Sequence, residues 1–118
     1  MATVSSHTLN GVDGTHAGGI NVSLYQLSGS GIRSVIFDTE TDSGGRLRED
    51  IDPSRIDTQA TYELVFETGP YWVAKNGAPL AGRHIRQIVL RFEMPKPEGL
   101  YHMPVILGPN TYSTWASS

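Results

Sequence analysis

The stretch Gln87-Ile88-Val89-Leu90-Arg91-Phe92-Glu93-Met94 sets Ile88, Leu90, Phe92 and Met94 against Gln87, Val89, Arg91 and Glu93. A period of two residues puts one side-chain set on a buried face and the other outward, which is the signature of a half-buried strand. The same alternation recurs in Tyr62, Leu64 and Phe66 against Glu63, Val65 and Glu67. It recurs again in Ile20, Val22 and Leu24 against Asn21 and Ser23, ahead of a turn at Ser28-Gly29-Ser30-Gly31. Ile32 to Phe37 adds a short apolar, β-branched run. Four such runs between Gly- and Pro-bearing loops predict antiparallel strands packed as a sandwich.

Working outward, Ala2 to Thr8 is rich in Thr, Val and Ser and runs into the Gly-rich stretch Gly11 to Gly19. A short strand is expected over Gly45 to Arg48, after the turn Asp42-Ser43-Gly44-Gly45. Tyr101 to Leu107 carries Met103, Val105 and Leu107 on one face and His102 and Ile106 on the other. Pro104 cannot donate to a ladder, so an edge strand or a bulge is expected there. Thr111 to Trp115 closes the β pattern. One short helix is expected over Pro70 to Lys75, with Pro in its first turn and Asn76-Gly77 as its stop. No repeat or linker interrupts the pattern, so residues 1–118 are expected to form one all-β domain.

Hydrophobic residues make up 38% of the 118 and charged residues 18%, enough for a modest core that subunit association would extend. The net charge is −3, and the nine Lys and Arg residues build no basic stripe, which argues against nucleic acid as a partner. The absence of cysteine excludes a disulfide framework, a thiolate metal site and a Cys nucleophile. Met1 to Asn10 lacks the basic and apolar regions of a signal peptide, and no apolar run approaches the roughly 20 residues that span a bilayer. A cytoplasmic protein without a membrane partner is the expectation.

Among the four histidines, His16 lies between glycines and His84 beside Arg83 and Arg86. Both are expected to be exposed loop residues with no special role. His7 and His102 sit in predicted strands, where each is either a hydrogen-bonded strand histidine or a reactive one. No HxH or HExxH spacing occurs and no third ligand lies near either, so no metal is expected. There is no Gly-x-Ser-x-Gly elbow, and the Gly11–Gly19 stretch lacks the Lys-Ser or Lys-Thr pair of a phosphate loop. Arg46 follows a Gly-Gly turn, where its guanidinium either enters a cleft or stays solvated, and Arg48 shares its side of the strand.

Several segments together resemble the transthyretin-related 5-hydroxyisourate hydrolases. Ser6-His7-Thr8-Leu9-Asn10 is similar to their N-terminal strand motif, and Thr41-Asp42-Ser43-Gly44-Gly45-Arg46-Leu47 to their Thr-Asp/Asn-x-x-Gly-Arg turn. Tyr62 to Trp72 resembles the family's strand and short helix. Tyr101-His102-Met103-Pro104-Val105-Ile106-Leu107 and Tyr112-Ser113-Thr114 resemble its Tyr-His-x-Pro-Leu-Leu-Leu and Tyr-Ser-Thr. Transthyretin itself is the lesser likeness, because its pattern does not keep the equivalents of His7 and His102.

The resemblance implies a transthyretin-like sandwich of two four-stranded antiparallel sheets, a homotetramer, and active sites at dimer–dimer contacts. It also implies that water opens the cyclic small molecule 5-hydroxyisourate without a cofactor. His7 or His102 would be the base, Arg46 the polarising group and Ser118 a positioning hydroxyl. Two departures stand out. The family ends in Tyr-Arg-Gly-Ser and this chain in Trp115-Ala116-Ser117-Ser118; the family's His-Tyr-His is here Leu100-Tyr101-His102. The exchange at Trp115, Ala116 and Ser117 makes the implied substrate pocket wider and less positive. A same-fold enzyme retuned for another cyclic substrate, or a non-catalytic small-molecule carrier, are the alternatives.

Overall fold

The computed structural model describes residues 1–77 and 81–118. Its strands are β1 (Ala2–Asn10), β2 (Asn21–Leu27), β3 (Arg33–Glu40), β4 (Arg46–Ile51), β5 (Thr61–Glu67), β6 (Gln87–Glu93), β7 (Leu100–His102), β8 (Val105–Gly108) and β9 (Thr111–Thr114). Among the described residues one helix, α1 (Gly69–Asn76), follows β5, and a 3-10 turn occupies Pro53–Arg55. Pro70 stands in the first turn of α1, and Gly77 ends it in the left-handed conformation at φ 76°, donating its N–H to the Val73 carbonyl.

One sheet has the order β3-β2-β5-β6 and is antiparallel throughout. The other has the order β4-β1-β8-β9, with β7 also paired to β1. Its five strands occupy four positions, because the expected Tyr101–Leu107 strand is interrupted at Met103-Pro104 and continues as β8. Proline's missing donor is the reason. The Met103 N–H still donates to the Ser5 carbonyl at 2.9 Å, and the Pro104 carbonyl accepts from the Thr114 hydroxyl at 2.8 Å. This sheet departs from an all-antiparallel pattern: β1 runs antiparallel to β4 but parallel to β7 and β8. The elements joining β1 to β8 cross between the sheets, so no hairpin imposes the antiparallel sense.

The inward sets read from the sequence meet in one core between the sheets. Val22, Leu24, Tyr62, Leu64, Phe66 and Ile88 face Val4, Val105 and Leu107, all nearly or wholly inaccessible. Trp72 of α1 joins the same cluster. On the outward side of β5, Glu63 is also covered, its side chain only 5% exposed. Arg33 and Arg91 each approach one of its carboxylate oxygens with two guanidinium nitrogens, at 2.7–3.0 Å and 2.9–3.2 Å. These charge-assisted bonds hold the Glu63 carboxyl below its ordinary value, with Arg91 the largest cause and burial opposing it.

Candidate active site

The outer face of the β4-β1-β8-β9 sheet gathers the polar residues. Val4, Ser6 and Thr8 of β1 point inward and are buried, so strand alternation sends Ser5 and His7 outward. Registry does the rest: His7 lies opposite Arg46 and Ser5 opposite Arg48 on β4, while Ser5 lies opposite His102 on β7. Three segments far apart in sequence thus place His7, Arg46 and His102 on one surface. A cleft of about 340 Å³ on this surface is lined by Ser5 and Ser6, by Asp42 of the β3–β4 turn, by Arg46 to Arg48, and by His102, while His7 lies outside its lining.

The turn before Arg46 is built around glycine. Gly45 adopts φ 76°, and a Cβ there would collide with the Thr8 carbonyl oxygen. Its own carbonyl accepts from the Thr8 backbone N–H at 2.7 Å and from the Thr8 hydroxyl at 3.1 Å. Asp42 Oδ1 accepts from the N–H groups of Gly44 and Arg46, both at 2.9 Å, which commits this carboxylate to the turn. No carboxylate pairs with the Arg46 guanidinium among the described residues. Arg48 has one long contact, 3.6 Å to Asp50.

His102 is held twice. Its Nδ1 lies 2.8 Å from the Ser5 hydroxyl, and its backbone forms both bonds of an antiparallel bridge with Ser117, at 2.8 and 2.9 Å. The tail after β9 therefore returns alongside β7 and brings Ser117 next to His102. Trp115, Ala116, Ser117 and Ser118 remain exposed and none of them lines the cleft of a single chain.

His7 is half-buried, and its Nε2 lies 3.0 Å from the Gly44 carbonyl and 2.9 Å from His16 Nδ1. Burial lowers its affinity for a proton, the Arg46 charge lowers it further, the Gly44 carbonyl opposes, and His16 and His102 add smaller lowering effects. A carbonyl only accepts, so the neutral ring carries its hydrogen on Nε2 and leaves Nδ1 as a free lone pair. A neutral imidazole beside an unpaired guanidinium can take a proton from water while the cation holds developing negative charge.

His16 and Ser5 escaped the sequence reading. His16 was expected to be an idle loop residue, but a backbone bridge to Leu9 folds it back beside His7. The available signal was the turn that begins at Asn10, whose side chain caps the N–H groups of Val12 and Asp13. Ser5 could have been found as the outward neighbour of His7 two residues away on the same strand. His84 sits where expected, in an exposed loop, its backbone N–H held by Asn110 Oδ1 at 2.6 Å.

A two-sheet β-sandwich with a short helix after β5, and a cleft carrying histidine and arginine on the outer face of one sheet, defines a transthyretin-like protein. The chain belongs to the HIUase/Transthyretin family, whose model matches residues 4–116. The 5-hydroxyisourate hydrolase of Pseudomonas aeruginosa is 29% identical over 118 residues, covering 100% of this chain and 93% of that protein. The 5-hydroxyisourate hydrolase 2 of Rhizobium meliloti is 33% identical over 116 residues, covering 98% and 95%. Among solved structures, 5-hydroxyisourate hydrolase of Klebsiella pneumoniae superposes with a TM-score of 0.76 at 26% identity over the whole of both chains. An (S)-allantoin synthase superposes with a TM-score of 0.78 at 26% identity, covering 99% of this chain and 44% of that longer one.

Proposed function

We propose that this protein is a hydrolase that opens the ring of 5-hydroxyisourate in urate degradation. The observation that carries the reading is the registry of β1 with β4 and β7, which aligns His7, Arg46 and His102 on one face. Family membership and the printed activity of the relatives support the substrate.

In this reading His7 or His102 removes a proton from water as the oxygen adds to a ring carbonyl carbon. Arg46 holds the oxyanion through its paired donors. Collapse of the intermediate breaks the carbon–nitrogen bond, and the protonated histidine returns its proton to the leaving nitrogen, so a carboxylate and a free N–H result. Ser118 positions the water or the ring, and Trp115, Ala116 and Ser117 form the pocket wall once a second subunit closes the cleft. A homotetramer is part of the proposal. It is supported by an apolar groove of about 240 Å³ beside β9, with Val12 and Tyr112 exposed on it. A cytoplasmic enzyme working without cofactor or metal completes it.

Purified protein added to freshly generated 5-hydroxyisourate should accelerate the decay of the ultraviolet band, and His102→Ala should abolish most of that gain. Decay no faster than buffer alone refutes the reading. A second reading, a same-fold enzyme retuned for another cyclic substrate, is favoured by the Trp115-Ala116 ending alone. Restoring Tyr-Arg-Gly at positions 115–117 would then raise 5-hydroxyisourate turnover.

A further inference from the structure

The geometry points to His16 as a positioning residue for His7, one that fixes which ring nitrogen of His7 is free to act as the base and forbids a second proton on the pair. The inference rests on the reading of His7 as a candidate base. It begins with backbone placement. Asn10 donates its N–H to the Thr15 carbonyl at 2.8 Å, Leu9 bridges to His16, and Ala17 donates to the Thr8 carbonyl at 2.9 Å. His16 is therefore held on the outer face beside His7 by strand-like bonds on both sides of it. The two ring centroids lie 5.0 Å apart with planes at 26°, and His7 Nε2 and His16 Nδ1 are 2.9 Å apart, so the rings meet edge to edge.

At that separation two N–H groups cannot face each other. The Gly44 carbonyl, 3.0 Å from the same His7 nitrogen, requires the hydrogen on His7 Nε2. His16 must then present a bare Nδ1 and carry its own hydrogen on Nε2. If His16 gains a proton at Nδ1, His7 must surrender its Nε2 hydrogen, which breaks the Gly44 contact and moves a hydrogen to Nδ1, where the lone pair was. The geometry therefore admits one added proton on the pair, either on His7 Nδ1 with Nε2–H still facing His16, or on His16 Nδ1 with the His7 hydrogen moved, and in both states the His7 Nδ1 lone pair is lost. Of the other groups facing His7, the Arg46 charge on β4 and His102 on β7 also lower its proton affinity, the Gly44 carbonyl raises it, and Arg48 is one step further along β4. Ile106 of β8, opposite Leu9, does not titrate, and the Asp42 carboxylate is bonded to its own turn.

The test follows the His7 ring by NMR across pH in wild type, His16→Phe and His16→Gln, alongside pH profiles of kcat and KM. His16→Phe keeps an aromatic ring at that position and removes both the acceptor nitrogen and any proton it could carry. Its His7 midpoint should rise by roughly half a pH unit, about a threefold change in proton affinity, and the acid limb of kcat/KM should move with it. Its kcat at about pH 8 should fall several-fold with KM unchanged. His16→Gln restores an acceptor oxygen without a titrating charge, so kcat at about pH 8 should recover while the acid limb stays shifted. A His7 midpoint in His16→Phe that falls, or that rises by less than roughly 0.2 units, overturns the inference, as does a failure of His16→Gln to restore kcat in an active wild-type background. The NMR arm needs no substrate: a wild type inert toward 5-hydroxyisourate would sink the proposed function while the titration still judges the histidine pair.

Discussion

Glu63 is a carboxylate with almost no solvent, gripped by two arginines that keep much of theirs. Replacing it with glutamine keeps the shape and one acceptor oxygen but turns an NH2 group toward a guanidinium, donor to donor. Four N–H contacts at 2.7–3.2 Å are at stake. Bonds to a charged group contribute about 1.5–3 kcal/mol each when enclosed. Here the Arg33 and Arg91 side chains are 47% and 66% exposed, so water screens them and recovers part of the loss. The net cost of Glu63→Gln should be about 2 kcal/mol. Urea unfolding at fixed protomer concentration measures it, with the concentration held because association shifts apparent stability. The sign of the pH dependence is fixed by the lowered Glu63 value. Its contribution is complete above the ordinary value of 4.5 and is lost as pH falls through the lower folded-state value. The gap between wild type and variant should therefore be full at about pH 7 and shrink steadily below pH 4.5. A gap under about 0.5 kcal/mol at neutral pH, or one that persists unchanged in strong acid, would refute this account of the clamp.

Three further outcomes follow from the site. Arg46→Lys keeps the charge and loses the planar fork, so kcat/KM should fall about a hundredfold with the fold intact by circular dichroism. Gly45→Ala meets both a positive φ and the Thr8 carbonyl oxygen, and a thermal melt should record about 3 kcal/mol of destabilisation. Removing Ser117 and Ser118 breaks the two-bond bridge to His102; steady-state kinetics should show kcat lowered between about 10- and 100-fold, with stability reduced by about 1 kcal/mol or less.

Most strands were readable because one face of each is dry. Ile88, Tyr62 and Val22 each announce a strand by period alone, while Pro104, read as an edge strand or a bulge, is where the structure splits one expected strand into β7 and an interior β8. Glu63 was read as an outward residue, and it does point outward. Its burial comes from Arg33 and Arg91 closing over it from β3 and β6, which no local pattern encodes. The parallel sense of β1 against β7 and β8 was equally hidden, since alternation is the same in either direction. In the site, His7, Arg46 and His102 were legible through the motifs that carry them. Their meeting was not, because it depends on strand registry. His16 was missed for a related reason: its partner is set by a backbone bridge formed after a turn, while its own neighbours in sequence are small and polar.

The parallel pairing of β1 has a consequence for the order in which the molecule comes together. The β3-β2-β5-β6 sheet joins strands mostly close in sequence, so it can assemble while the chain is still growing. β1 is made first, yet its partners at Leu100–His102 and Val105–Leu107 arrive about a hundred residues later, after a long loop-closure search. Until then one whole edge of β1, with its row of unpaired amides, stands open to mispairing. The Ser5–His102 contact spans that late junction, so the cleft is among the final features to appear.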